Sequence, residues 1–192
     1  MALHYAAVEL EHREILLKDK PQAMLDASSK GTVPVLVLAD RVIDESIDVM
    51  QWALQKSDPD LWLAHTLDHE LIQTNDGSFK QKLDCYKYFE RYPEYSQQHY
   101  LEECLAFLEK LEASLIESNE LKTQGKFFLL SPTVSALDIA IFPFIRQLAF
   151  VNKAVFDDLS LPKLHIWLDH FLNSNLFLSV MEKRPLWKTD LV

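Results

Sequence analysis

The stretch KGTVPVL, residues 30–36, sets Pro34 inside a run of strand-forming residues. Proline has no amide to donate, so it belongs at a strand's first position, on an edge or in a turn. If the Val33–Pro34 bond is trans, Pro34 simply starts a strand. If it is cis, Val33 presents its amide and carbonyl to an extended ligand, which then binds through main-chain hydrogen bonds. On the local sequence alone the trans proline is the simpler account. A second group, Asp44-Glu45-Ser46, directly precedes an amphipathic segment. Ser46 is placed to cap a helix, and the open amides of a helix start also seat a carboxylate. Glu45 beside it can pair with an ammonium, so the two together can read both charges of an amino-acid head group. Taken by themselves, these residues are explained as readily by a helix cap.

Other reactive side chains offer less. His65 and His69 stand four apart, but lack the glutamate of a zinc-protease helix and further ligands, so solvent-facing histidines are expected and no metal. Cys85 and Cys104 are the only cysteines. With no secretory signal in MALHYAAVEL they read as buried thiols, not as a disulfide. Tyr86, Tyr88 and Tyr92, with Lys87 and Arg91, can line an apolar pocket or simply pack helices. Trp62, Trp167 and Trp187 are most simply core or domain-contact residues. In VSALDI, residues 134–139, Ser135 and Asp138 form an acidic capping box and Val134 and Ile139 a hydrophobic staple. That pattern is a folding signal, and losing either capping residue is expected to cost about 1 kcal/mol or more.

The elements that must position these groups change character along the chain. Up to about residue 60, MALHYA reads as helix, HREILL as strand and PQAMLDAS as a helix opened by Pro21. VPVLVL and RVID then read as a hairpin, followed by the helix SIDVMQWALQ. SDPDLW, residues 57–62, is the expected linker. Beyond it the pattern is helical throughout. A helix is expected to be interrupted near Asp76–Gly77, a strong amphipathic helix carries Leu101, Leu105, Leu108, Leu111 and Leu115, and SALDIAIFPFIRQLAFV forms a buried central helix.

Composition bounds the function. Of 192 residues only three are glycine, which excludes glycine-rich phosphate loops. The net charge of -10 and the lack of a basic stripe argue against a nucleic-acid partner. No apolar run approaches the length of a membrane span. A cytoplasmic protein is expected.

Together the pieces resemble the glutathione S-transferase superfamily, over nearly the whole chain. LLKDKPQAMLDASSKGTVPVLVLADRVIDES is similar to the second half of its thioredoxin-like N-terminal domain. SALDIAIFPF is similar to the capped central helix of its all-helical C-terminal domain. The nearest likeness is to bacterial cysteine-type members of the omega and beta classes. The resemblance implies a partial thioredoxin-like glutathione-binding domain over residues 1–57 and an all-α domain over 63–192. It implies a cis Pro34 and glutathione held by the Val33 backbone, by Glu45 and Ser46 at the γ-glutamyl end and by Lys20 at the glycine carboxylate. It also implies glutathione as co-substrate without a metal, a small electrophile or disulfide as second substrate, and a homodimer. The acceptor site is expected between the domains, with Tyr86, Tyr88 and Trp187 as candidate walls.

One departure stands out. Family members start with a strand and a loop carrying the catalytic Cys, Ser or Tyr, and this sequence starts inside the helix that follows them. No catalytic residue is therefore expected in this chain. The family's first strand runs between the segments matching HREILL and VPVLVL, and without it both neighbours would hold unpaired backbone groups. Met1 as an internal methionine of a longer protein is the favoured explanation. The others are a truncated relative that binds without catalysing and a partner chain supplying the strand. The function expected is a glutathione S-transferase or a related glutathione-dependent thiol transferase. The alternative is a non-catalytic interaction module of the same fold.

Overall fold

The computed structural model describes residues 1–64, 67, 69–120 and 128–187. The chain forms two compact units, one of residues 1–59 together with the segment from Asn175, the other of Asp60–Ser174. The second of these units ends at Ser174. The last helix and the segment after it belong with the first unit.

The first unit opens with α1 (Ala2–Tyr5) and continues through α2 (Gln22–Ala27), β1 (Leu36–Val37), β2 (Val42–Ile43) and α3 (Ser46–Lys56). The hairpin expected from sequence is present. Leu36 pairs with Ile43 and Val37 with Val42, antiparallel, and the Leu38 amide donates to the Arg41 carbonyl across Ala39-Asp40. HREILL is not a strand. It makes two isolated bridges, Glu14 with Leu186 in parallel and Leu16 with Asp19 in antiparallel sense. A continuous strand needs a ladder partner along its length, and here Glu14 meets only the short segment around Leu186. VPVLVL likewise contributes only its Leu36–Val37 step to a ladder. α3 buries Val49, Met50, Ala53 and Leu54, the helical spacing visible in the sequence. Its N-cap is Glu45, so Ser46 is the first helical residue and not the cap.

The second unit begins with a 3-10 turn at Trp62–Ala64, then α4 (Glu70–Thr74), a π-helical segment Asn75–Phe79 and α5 (Lys80–Lys87). The expected break near Asp76–Gly77 is this wider turn, and the helix passes through it. A 3-10 turn at Phe89–Arg91 leads to α6 (Gln97–Glu120), α7 (Ala136–Ala149), α8 (Lys153–Asp157) and α9 (Pro162–Leu172). α10 (Asn175–Val180) returns to the first unit.

α6 buries Leu101, Cys104, Leu108, Leu111 and Leu115 along one face. Opposite them, α7 and α9 bring together Phe142, Trp167 and Phe171, with ring centroids 5.1–6.3 Å apart. α7 is buried over its first two turns, and Pro143 falls on its exposed face. Pro143 has no amide to donate to the Ile139 carbonyl one turn earlier.

Two buried carboxylates organise this core. Asp138, fully buried, accepts from the amide and hydroxyl of its cap Ser135 at 3.0 and 2.6 Å. Its other oxygen accepts from the Leu129 amide at 3.0 Å and the Trp167 indole at 2.8 Å. The capping box was legible, but its reach to the preceding loop and to α9 was not. Burial pushes the Asp138 carboxyl above the ordinary aspartate range, and these four donors oppose the shift. Glu112 of α6 accepts from the Lys163 and Leu164 amides at 3.0 and 2.7 Å. It thereby satisfies the open start of α9, where Pro162 has no amide to offer.

Candidate functional site

The sequence-selected site residues of the first unit gather around one loop, residues 28–34. Gly31 has a φ of 62°, a left-handed conformation that glycine adopts without penalty. The Lys20 side chain lies against this glycine, its ammonium 3.7 Å from where a Cβ would stand, so the left-handed backbone and not space is what calls for glycine here. The Val33–Pro34 peptide bond is cis. Val33 is 50% exposed, and among the described residues neither its amide nor its carbonyl pairs with another backbone group.

The far side of the loop is tied to the start of α3. Buried Ser28 donates to Asp44 at 2.6 Å, and Lys30 reaches Asp44 at 2.9 Å and Glu45 at 2.5 Å. The hydroxyl of Ser28 and the ammonium of Lys30 hold the Asp44 carboxyl below its ordinary range. Lys30 is correspondingly raised, first by its bond to Glu45 and then by Asp44. The Glu45 side chain does not cap α3, so the first amides of the helix have no partner from its N-cap residue. The arrangement offers an exposed backbone edge at Val33, a helix start, the carboxylates of Asp44 and Glu45 and the ammonium groups of Lys20 and Lys30. Such a set fits a small peptide carrying two carboxylates and one ammonium.

Lys30 and Ser28 were not among the residues singled out from sequence. Their signal was there, a lysine and a serine three residues or fewer from Gly31, but only the fold shows that they reach Asp44 and Glu45. Because Lys30 already pairs with Glu45, an incoming ammonium must share that carboxylate or replace Lys30.

The candidate acceptor residues are not brought together within one unit. Tyr86 is buried in the core of the second unit, 3% exposed. Its place beside α6 packing is the alternative that the tyrosine cluster left open. Tyr88 lies on the surface of the same unit between Lys87 and Arg91, 4.8 and 4.6 Å from its ring centroid. Trp187 belongs to the first unit and borders an apolar hollow that also touches Val33.

Neither cysteine is set up as a nucleophile. Burial drives the Cys104 thiol to about 12, and burial followed by the nearby Glu103 raises Cys85 as well. His69 stands just before α4 and caps it, its Nδ1 accepting from the Leu71 amide at 3.2 Å. His65 lies outside the described residues. Among the described residues no group of three or more ligating side chains could hold a metal, and no helix is long and apolar enough to cross a membrane.

Two family models match the chain in sequence. Residues 1–60 match the glutathione S-transferase N-terminal domain, and residues 88–170 match the glutathione S-transferase C-terminal domain. The chain belongs to the glutathione S-transferase superfamily. The thioredoxin-like N-terminal domain and helical C-terminal domain are those of this superfamily. Solved structures share the fold at low identity. The bacterial glutathione S-transferase BphK, in a ternary complex, is 18% identical with a TM-score of 0.73, covering 94% of this chain and 90% of its own. Glutathione S-transferase-I bound with lactoylglutathione is 18% identical, TM-score 0.69, covering 93% of this chain and 89% of its own. Ure2p in complex with glutathione is 15% identical, TM-score 0.63, covering 84% and 80%.

Proposed function

We propose that this member of the superfamily binds glutathione at the 28–34 loop and acts as a glutathione S-transferase or a related glutathione-dependent transferase. What supports the reading most is Val33, half-exposed, with no backbone partner for its main-chain groups among the described residues, beside the Lys30–Asp44–Glu45 cluster. Glutathione lies extended along Val33, its cysteinyl main chain pairing there. Its γ-glutamyl carboxylate takes the start of α3 and Ser46, its ammonium takes Glu45, and its glycine carboxylate takes Lys20. Binding in this way pre-pays the orientation of the thiol toward a second substrate.

With Cys85 and Cys104 both held protonated, the nucleophile is the sulfur of glutathione itself. The bound thiol releases its proton to water, and its lone pair forms an S–C bond to an electrophilic carbon as the leaving group departs with the old bonding pair. With a disulfide substrate the same thiolate forms an S–S bond and expels the other sulfur as thiolate. A homodimer and a cytoplasmic location are part of this reading.

The test follows conjugation of glutathione to 1-chloro-2,4-dinitrobenzene, alongside reduction of hydroxyethyl disulfide. A transferase gives turnover with one of them, with KM for glutathione raised in Glu45→Ala. Glutathione binding with no turnover on either would favour the second reading, an interaction module of this fold.

A further inference from the structure

The Lys30 ammonium stands between two carboxylates, 2.9 Å from Asp44 and 2.5 Å from Glu45. The two are not equivalent. The Asp44 side chain is 26% exposed, and its second oxygen accepts from the hydroxyl of buried Ser28 at 2.6 Å. The Glu45 side chain is 58% exposed, and among the described residues Lys30 is the only side chain bonded to it. An exposed pair of this kind is weak and yields to a competing ion, whereas the Asp44 end of the cluster is anchored. Glu45 is the N-cap of α3 and Ser46 its first residue. The Lys30 ammonium therefore lies one residue from the place that the glutathione reading gives to the γ-glutamyl carboxylate.

Resting on that reading, we propose that Lys30 is a specificity-determining residue that selects a complete α-amino-acid head group. The γ-glutamyl ammonium displaces Lys30 from Glu45, and Lys30, kept in reach by Asp44, turns to the γ-glutamyl carboxylate beside Ser46. Five charges then alternate in sign: Asp44, Lys30, the ligand carboxylate, the ligand ammonium and Glu45. The head group adds no net charge, and every ion that it separates gains a new partner. A ligand with the ammonium alone takes Glu45 from Lys30 and gives Lys30 nothing in return. A ligand with the carboxylate alone leaves Lys30 divided between Glu45 and the newcomer. Selection arises from this penalty on half of the head group.

The test is calorimetric binding to the full chain of glutathione, 4-aminobutyryl-cysteinylglycine, which keeps only the ammonium, and glutaryl-cysteinylglycine, which keeps only the carboxylate. Lys30→Ala is expected to bind the aminobutyryl compound about two- to fivefold more tightly and the glutaryl compound about two- to fivefold less tightly, with glutathione changed less than either. Lys30→Met, which keeps the aliphatic stem, is expected to do the same. Losing a positive charge also acts through the general field, and Glu45→Gln separates the two effects. In that background Lys30→Ala is expected to give no tightening of the aminobutyryl compound. Tightening that persists there overturns the proposal, and so does its absence where Glu45 is present. Failure of glutathione itself to bind the unsubstituted chain overturns the glutathione reading and the exchange with it. Glutathione binding in a chain whose Lys30→Ala and Lys30→Met variants treat the two half-ligands alike overturns the exchange alone.

Discussion

In the helical unit Trp167, Phe142, Leu108, Leu111 and Leu115 are wholly enclosed, and the carboxylate of Asp138 accepts from four donors. In the first unit Leu16, Leu17, Leu25, Val33, Val37 and Val42 remain substantially exposed, and the sheet is two residues per strand. Both units are rich in apolar residues, and only one of them encloses most of what it has. The difference separates a scaffold from a responsive surface. Local stability follows buried apolar contact, and ligand-binding loops are drawn from its low end. The candidate site sits in the unit with the thinner core, where polar ties such as Lys30–Asp44 do work that packing does elsewhere.

The sharpest way to break this comparison is to remove the buried polar hub. Asp138→Ala leaves the Trp167 indole and the Leu129 and Ser135 amides without their acceptor. It is expected to cost about 3 kcal/mol or more in urea unfolding followed by tryptophan fluorescence. A loss under about 1 kcal/mol would mean the core does not depend on that hub. Glu112→Ala removes a helix-start acceptor only, and about 1–2 kcal/mol is expected in the same measurement. A loss equal to that of Asp138→Ala would erase the ranking.

Acid should separate the units by sign. Asp44 is depressed in the folded state, so its contribution is present above its unfolded value near pH 4 and is lost as pH falls through its folded value. Asp138 is raised, so its contribution is fully present below about pH 4 and declines as pH rises through its folded value. Amide exchange between pH 3 and 6 should therefore show the 28–46 region losing protection on acidification, and Asp44→Asn should flatten that response. Equal acid sensitivity of this region in both proteins would contradict the assignment to Asp44. The smallest effect is expected from Lys30→Ala. It frees the Glu45 carboxylate at an exposed pair, and glutathione affinity should change by no more than about fivefold.

How much of this was legible in the sequence varied with the range of the interaction. The Ser135–Asp138 box and the α6 leucine stripe are local patterns, and both formed. The Ala39-Asp40 turn was readable for the same reason. HREILL failed as a strand because strand formation depends on a neighbour that local sequence does not reveal, and Glu14 finds only the Leu186 step. Ser46 was displaced from the cap by one position, against the N-cap preference for serine, because the helix begins one residue earlier than that preference places it. Lys20, Val33, Glu45 and Ser46 could be named from motif and resemblance. Lys30 could not, because its pairing with Glu45 crosses fifteen positions of sequence.

Calorimetric titration of the full chain with reduced glutathione, against the Glu45→Ala, Ser46→Ala double variant, tests the central claim most directly. Saturable binding in the unsubstituted chain that disappears in a folded double variant is the predicted result. Absence of binding in the unsubstituted chain, or equal binding in both proteins, would contradict the glutathione site at the 28–34 loop and the start of α3.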